Sequence, residues 1–385
     1  MRSFAAGALG ALASVAAALA APAARADVAE LRDQGIRLAI DRNDVAVSGI
    51  SSGAAMAFQL HVARSKDLTG AGLVAGPPFR CADYMLGQMP PVSAALTAVN
   101  LCTAYYRKLP PAFTVPGVAG VTPELSRLVL LAKDAFDRKK VDPVSGLCGD
   151  RVFLIAGAAD DTVPGPVTNA TEKLYATLME SCETGPTGTP NLVSKTVVGM
   201  PHTMPTDRSP DGTACSAGAP YIANCGMTGA ADMLGFLHRR ENAPQANRPA
   251  DPKNLVRFDQ HRVIGATEPK GMMHQFGYVY VPEACRTGAS CALHIALHGC
   301  HQNEDMINEG SYDPRHKYLF AADAGYNDFA ERNNIVILYP QAAASSAMGG
   351  NPNGCWDWFG YNGPDYWQKD SRQMRNVWKL VEALR

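Results

Sequence analysis

A serine hydroxyl attacks a carbonyl efficiently only when a nearby base takes its proton and a fixed, exposed position presents it. Ser51 meets the positional requirement in the stretch Gly49-Ile50-Ser51-Ser52-Gly53. Glycines at this spacing permit a sharp turn between a strand and a helix, with neighbouring backbone close by. Such a pattern recurs by chance in a chain with 35 glycines, so the flanking elements decide. Val45-Ala46-Val47-Ser48 reads as a strand entering the turn, and Ser52 to Arg64 as a helix leaving it, with Met56, Leu60 and Ala63 on one side. The first amides of that helix point toward the serine, which makes the Ser52 N–H a candidate donor to a developing oxyanion.

The base needs an orienting acid. Gly157-Ala158-Ala159-Asp160-Asp161-Thr162-Val163-Pro164 sets two carboxylates just beyond the apolar run Val152 to Ala156. A carboxylate there can hold a histidine and stabilise its cation. Asp also starts ordinary turns, but the strand before and Val163-Pro164 after favour the catalytic reading. The residues alone leave Asp160 and Asp161 both open. His202 follows a further strand, Val193 to Val198, within Gly199-Met200-Pro201-His202-Thr203-Met204-Pro205, and is the candidate general base. Late in the chain, His298-Gly299-Cys300 reads as an oxyanion loop whose donor is the Cys300 backbone N–H. His294, His298 and His301 also raise a metal site, but no nearby cysteine or carboxylate completes a ligand set. Neither a metal nor a cofactor is expected.

These residues must be carried by elements. Helices are expected over Pro123 to Asp137 and Thr168 to Met179, and strands over Gln275 to Val281, Ala292 to Leu297 and Ile335 to Tyr339. Tyr318 to Arg332 reads largely as a helix, and Ser371 to Leu384 as one with Met374, Val377, Trp378, Val381 and Leu384 in a stripe. Strands alternating with helices predict an α/β protein with a mostly parallel central sheet flanked by helices. The order of the motifs adds more. In an α/β-hydrolase the oxyanion loop follows an early strand, and nucleophile, acid and histidine come later. Here Ser51, Asp160 and His202 come first and His298-Gly299-Cys300 last. Placing residues 254 to 385 ahead of residue 44 restores the usual order, so a circularly permuted α/β-hydrolase fold is predicted. The stretch Glu241 to Lys253, with Pro244, Pro249 and Pro252, then joins two parts of a single catalytic domain, residues 27–385.

Met1-Arg2, an Ala- and Leu-containing run, and Ala24-Arg25-Ala26 read as a signal peptide over residues 1–26, which predicts a secreted or periplasmic protein. No later run is long and apolar enough to suggest a membrane span. A formal charge of −1 gives no electrostatic footprint for nucleic acid. Ten cysteines in an exported chain predict several disulfides. A Cys300–Cys355 bridge would tie the oxyanion loop to the aromatic cluster Gly354-Cys355-Trp356-Asp357-Trp358-Phe359-Gly360-Tyr361 and hold its amide in place. Cys215 with Cys225 and Cys285 with Cys291 are plausible local bridges. The cluster itself reads as core or as a loop wall for an apolar substrate.

The stretches GISSGAAMAFQL from Gly49, GAADDTV from Gly157, GMPHTMP from Gly199, LHGCHQ from Leu297 and NGCWDWFG from Asn353 resemble those of the extracellular polyhydroxybutyrate depolymerases, specifically the single-domain, circularly permuted group. Five motifs in permuted order are far more specific than one. The resemblance implies a triad of Ser51, His202 and Asp160, an oxyanion hole from the Ser52 and Cys300 amides, and a tryptophan beside the substrate matching Trp356 or Trp358. It implies a secreted serine esterase that cleaves polyhydroxybutyrate or its hydroxyalkanoate oligomers through an acyl-enzyme, with a polyester or oligoester as partner. Ala54, where many relatives carry glycine, and His301, an ionisable ring beside the oxyanion loop, depart from the pattern. Many members carry a separate polymer-binding domain, and none is legible here, which weighs against attack on dense crystalline polymer. Feruloyl and acetylxylan esterases share the same catalytic parts and are the alternative. A catalytically inactive polymer-binding protein is a third reading, opposed by the presence of every triad member.

Overall fold

The computed structural model describes residues 28–89, 92–180, 191–208, 213–240, 249–306, 319–345 and 350–385. The expected signal peptide and residues 241–248 of the expected joining stretch lie outside them. Ten strands run in chain order among the described residues: β1 (Ala39–Ile50), β2 (Gly70–Val74), β3 (Arg151–Gly157), β4 (Leu192–Val197), β5 (Met204–Thr206), β6 (Ile222–Asn224), β7 (Leu255–Asp259), β8 (Phe276–Tyr280), β9 (Ser290–Leu297) and β10 (Ile335–Tyr339). Eight of them form one sheet in the order β4-β3-β2-β1-β9-β10-β8-β7, while β5 and β6 pair separately. All neighbours in the large sheet are parallel except those of β8, which is antiparallel to both β7 and β10. The mostly parallel α/β architecture is thus observed.

Counting β7 to β10 before β1 to β4 makes the chain cross the sheet as 1-2-4-3-5-6-7-8, nearly sequentially, which is the sense of the permutation. The C-terminal helix, Arg372–Glu382, ends where this requires: Arg42 at the start of β1 donates to the backbone oxygen of Arg385 at 3.2 Å. The sheet also draws strands from both sides of the stretch 241–253.

Parallel strands covered on both faces should be apolar on both. From Val45 to Ile50 every residue of β1 is buried. Val45 and Val47 face one core layer, with the helices Ser52–Ala63, Leu125–Asp137, Gly165–Glu180 and Arg372–Glu382. Ala46 and Ile50 face the other, with the helices Gly229–Leu237 and Tyr326–Asn333. The helix Ser52–Ala63 differs from its expected one-sided stripe, because all twelve of its residues are buried. It is enclosed by β1, β2 and the aromatic loop rather than lying on the surface.

Strand β2 shows no strand signature, since Gly-Ala-Gly-Leu-Val reads as a breaker. Its glycines are required by packing: a Cβ on Gly72 would overlap the sulfur of Met233, and one on Gly70 would overlap Arg151 O. No helix among the described residues is long and apolar enough to cross a membrane.

Candidate active site

The turn after β1 is built by exclusion of side chains. A Cβ on Gly53 would overlap the backbone oxygens of Leu297 and His298, and one on Gly49 would stand 2.7 Å from Leu297 O. Only glycine lets the Ser51 turn sit directly against the end of β9. Ser51 takes φ 56° and ψ −119°, a conformation rare for a residue with a side chain, and its N–H is anchored to Val74 O at 2.9 Å. The strained turn opens onto a cavity of about 170 Å³ that both Ser51 and His202 line.

His202 and Asp160 meet at the far end of the sheet. Nδ1 of His202 donates to Oδ2 of Asp160 at 2.8 Å, and Oδ1 of Asp160 accepts from the amides of Thr162 and Val163, each at 2.8 Å. Both carboxylate oxygens are therefore occupied and the group is buried. The two loops interlock through Gly157, where a Cβ would overlap Met200 O, and through the Ala159 N–H on Met200 O at 3.0 Å. Asp161 turns the other way, to Lys108 Nζ at 3.2 Å, with its side chain largely exposed. Of the two neighbouring carboxylates, Asp160 is thus the one hydrogen-bonded to His202.

Ser52 starts the helix behind Ser51, and its Oγ accepts from the Trp356 N–H at 3.3 Å. Cys300 lines the same cavity as Ser51, and its disulfide to Cys355 is formed, with the two Cα atoms 4.2 Å apart. Cys215–Cys225, Cys285–Cys291 and Cys81–Cys102 are bridged as well. The last was not anticipated, for its cysteines lie 21 residues apart with no local cue.

Two of the histidines weighed as metal ligands, His294 and His298, are hydrogen-bonded within the core. Burial pushes His298 down to about 4, against the pull of its bond to Gly299 O, so the ring is neutral at neutral pH. It donates from Nδ1 to Gly299 O at 2.8 Å and accepts at Nε2 from the Ala342 N–H at 3.1 Å, pegging the loop at Gly299-Cys300. His294 sits in a buried chain, 2.7 Å from Ser48 Oγ and 3.1 Å from Nε2 of His238, whose Nδ1 is 2.6 Å from Asp44. Burial also holds His294 well below the ordinary imidazole value.

The aromatic loop divides its tryptophans. Trp358 lines the cavity with Phe359, its ring edge-on to the Phe359 ring at 5.7 Å. Trp356 does not: it is wholly buried, with its ring 5.2 Å from that of His298. Asp357 between them is raised to about 6 by burial, although the amides of Gly360, Tyr361 and Asn362 support its carboxylate.

Sequence reasoning missed the opposite wall. Ala95, Val99, Tyr105 and Lys108 come from the excursion between β2 and β3, and Tyr221 stands with its ring 6.2 Å from His202 and 6.4 Å from His301. The part of that excursion ahead of the helix Leu125–Asp137 has only short helical turns and no periodic stripe to read. A larger cavity of about 690 Å³, bordered by Thr206, Tyr278 and Asn327, includes none of the triad candidates.

Comparison with known proteins gives a consistent result. The chain is 33% identical over 351 residues to the poly(3-hydroxybutyrate) depolymerase of Delftia acidovorans, covering 90% of this chain and 60% of that protein. It is 32% identical over 357 residues to the polyhydroxybutyrate depolymerase of Talaromyces funiculosus, covering 90% of each. The crystal structure of the PHB depolymerase from Penicillium funiculosum matches with a TM-score of 0.72 at 29% identity, covering 91% of this chain and 98% of that one. A serine-to-alanine variant of a PHB depolymerase complexed with an R3HB trimer matches with a TM-score of 0.71 at the same identity and coverage. No family model matches the chain. With nine-tenths of its length aligned to a full relative at that identity, and the same fold throughout, the chain belongs to the polyhydroxybutyrate depolymerase family.

Proposed function

We propose that this protein is an exported serine esterase that hydrolyses the ester bonds of polyhydroxybutyrate or its hydroxyalkanoate oligomers. Ser51 Oγ attacks the ester carbonyl while Nε2 of His202 takes its proton. The amides of Ser52 and Cys300 hold the oxyanion of the tetrahedral intermediate. Its collapse breaks the bond to the alkoxy oxygen, and the His202 proton passes to the departing alcohol. Water, deprotonated by the same ring, then hydrolyses the acyl-enzyme and returns the hydroxyl to Ser51. Asp160 fixes the tautomer of His202 and stabilises its cationic form in both halves of the reaction. Trp358 and Phe359 supply the apolar wall that an uncharged polyester segment needs.

The observation that carries this reading is His202, held by Asp160 at 2.8 Å and lining one small cavity with Ser51, in a chain of this family. Export is supported by the disulfides, which persist in oxidising compartments. We place the whole of residues 27–385 in one permuted catalytic domain, supported by the single large sheet. The test is a hydrolysis panel of polyhydroxybutyrate, hydroxybutyrate oligomers, and feruloyl and acetyl sugar esters. The account expects the highest kcat/KM on the hydroxybutyrate oligomers. Preference for the sugar esters would replace it with the carbohydrate-esterase reading.

A further inference from the structure

Gln302 closes the oxyanion-loop motif and has no part in the chemistry described above. It is buried, yet every polar atom of its side chain is engaged. Oε1 accepts from the Gly299 N–H at 2.7 Å, and Nε2 donates to Pro220 O at 3.3 Å and to Tyr221 O at 3.2 Å. One amide thus spans two loops that are distant in sequence: the oxyanion loop after β9, and the loop at Pro220-Tyr221 that leads into β6. Gly299 leaves room for it, since a Cβ there would come within 2.9 Å of Oε1.

The second loop is itself unusual. Tyr221 has φ 62°, a costly conformation for a tyrosine. Its carbonyl also accepts from the Met204 N–H at 2.8 Å, and its N–H donates to Gly218 O at 2.9 Å. Its ring stands between His202 and His301 at the cavity. The peptide that Gln302 holds at its other end, Gly299, immediately precedes the Cys300 amide. The Cys300–Cys355 disulfide restrains that residue through its side chain, and Gln302 restrains it through the preceding backbone.

We infer that Gln302 is a positioning residue for the oxyanion hole, setting the Cys300 amide in register with the histidine loop. The inference rests on the proposed roles of Ser51 and Cys300. The polarity is specific to an amide, because an acceptor must face an N–H and donors must face two carbonyls. A carboxylate satisfies only the first. An oxyanion donor displaced by a fraction of an ångström loses much of its effect on the transition state while ground-state binding changes little.

The experiment uses the full protein with Gln302→Ala, Gln302→Glu and the near-isosteric Gln302→Met, which serves if the alanine variant does not fold. Thermal unfolding establishes that each variant is folded. The readouts are kcat and KM on p-nitrophenyl acetate, and the rate at which an organophosphonate labels Ser51. The expected result is a fall in kcat of about tenfold to a hundredfold with KM within about twofold, a parallel slowing of labelling, and a loss with Glu at least as large as with Ala. A labelled parent with kcat unchanged in folded Ala or Met variants overturns the role of Gln302 alone. A parent that the phosphonate does not label overturns the Ser51 assignment, and this role with it.

Discussion

Gly53 and Leu297 are in such close backbone contact that no side chain fits between them: a Cβ on Gly53 would overlap the Leu297 carbonyl oxygen. The start of the helix after Ser51 is thereby packed against the end of the strand that leads into His298-Gly299-Cys300. The two candidate donors, Ser52 N–H and Cys300 N–H, inherit their relative position from this contact. Gly53→Ala must push backbone rather than a flexible side chain, at a cost of about 1–3 kcal/mol. We expect a lower Tm and a loss of kcat larger than the loss of folded protein. A variant with the parent's Tm and kcat would show that the contact is not a constraint.

The two neighbouring carboxylates should behave very differently on amidation. Asp160→Asn leaves the amides of Thr162 and Val163 an acceptor but gives His202 the wrong partner, and we expect a fall of about 10⁴ in kcat. Asp161→Asn loses an exposed ion pair to Lys108, which is worth little. Its kcat should stay within a few-fold of the parent. Steady-state kinetics on any soluble ester decides, and equal losses would remove the distinction.

Trp358 and Trp356 offer a second contrast. Losing an apolar wall contact should cost Trp358→Ala about tenfold in kcat/KM on a hydroxybutyrate trimer, with less effect on p-nitrophenyl acetate. Trp356→Ala instead opens a hole in the core, with a destabilisation of about 3–5 kcal/mol. Its substrate ratio should be that of the parent wherever it folds. A changed ratio in the Trp356 variant and none in the Trp358 variant would reverse the assignment.

His298 should make the fold acid-sensitive. Its value falls from 6.5 to about 4 on folding, so the unfolded chain binds the proton more readily between those pH values. The stability this neutral ring confers is full above pH 6.5 and is lost as the pH drops toward 4, by about 3 kcal/mol at most. Asp357, raised to about 6, runs the opposite way, gaining stability on acidification, so the parent's total slope mixes both. The difference between parent and His298→Gln isolates the histidine. Tm measured from pH 7.5 to 4.5 should fall less steeply in the variant, and parallel curves would contradict the assignment.

Much of this site could be read in the chain because its chemistry is tied to short motifs. The glycines at 49, 53 and 157 mark close backbone approaches, and the order of Ser51, Asp160, His202 and Cys300 along the expected strands implied the permutation. Strand β10 has the expected bounds, Ile335 to Tyr339, because five apolar β-formers followed by Pro340 carry an unambiguous signal. Strand β2 was hidden, since its small residues answer to the side chain of Met233 on a helix far along the chain. Edge strand β7 was hidden too, being five residues long with both polar and apolar positions. Lys108 and Tyr221 reach the cavity from irregular segments, where position depends on tertiary contact alone. Likewise, Trp356 and Trp358 differ by two residues, and nothing in composition says which one faces the cavity.

The central claim is that Ser51 is the nucleophile of a hydroxyalkanoate esterase. The most direct test is the rate of hydroxybutyrate-trimer hydrolysis by Ser51→Ala against the parent, both shown folded by circular dichroism. The account predicts a loss of roughly a millionfold in kcat, with the parent forming a transient acyl adduct of the trimer on Ser51. A folded Ser51→Ala variant that hydrolysed the trimer within tenfold of the parent would contradict it.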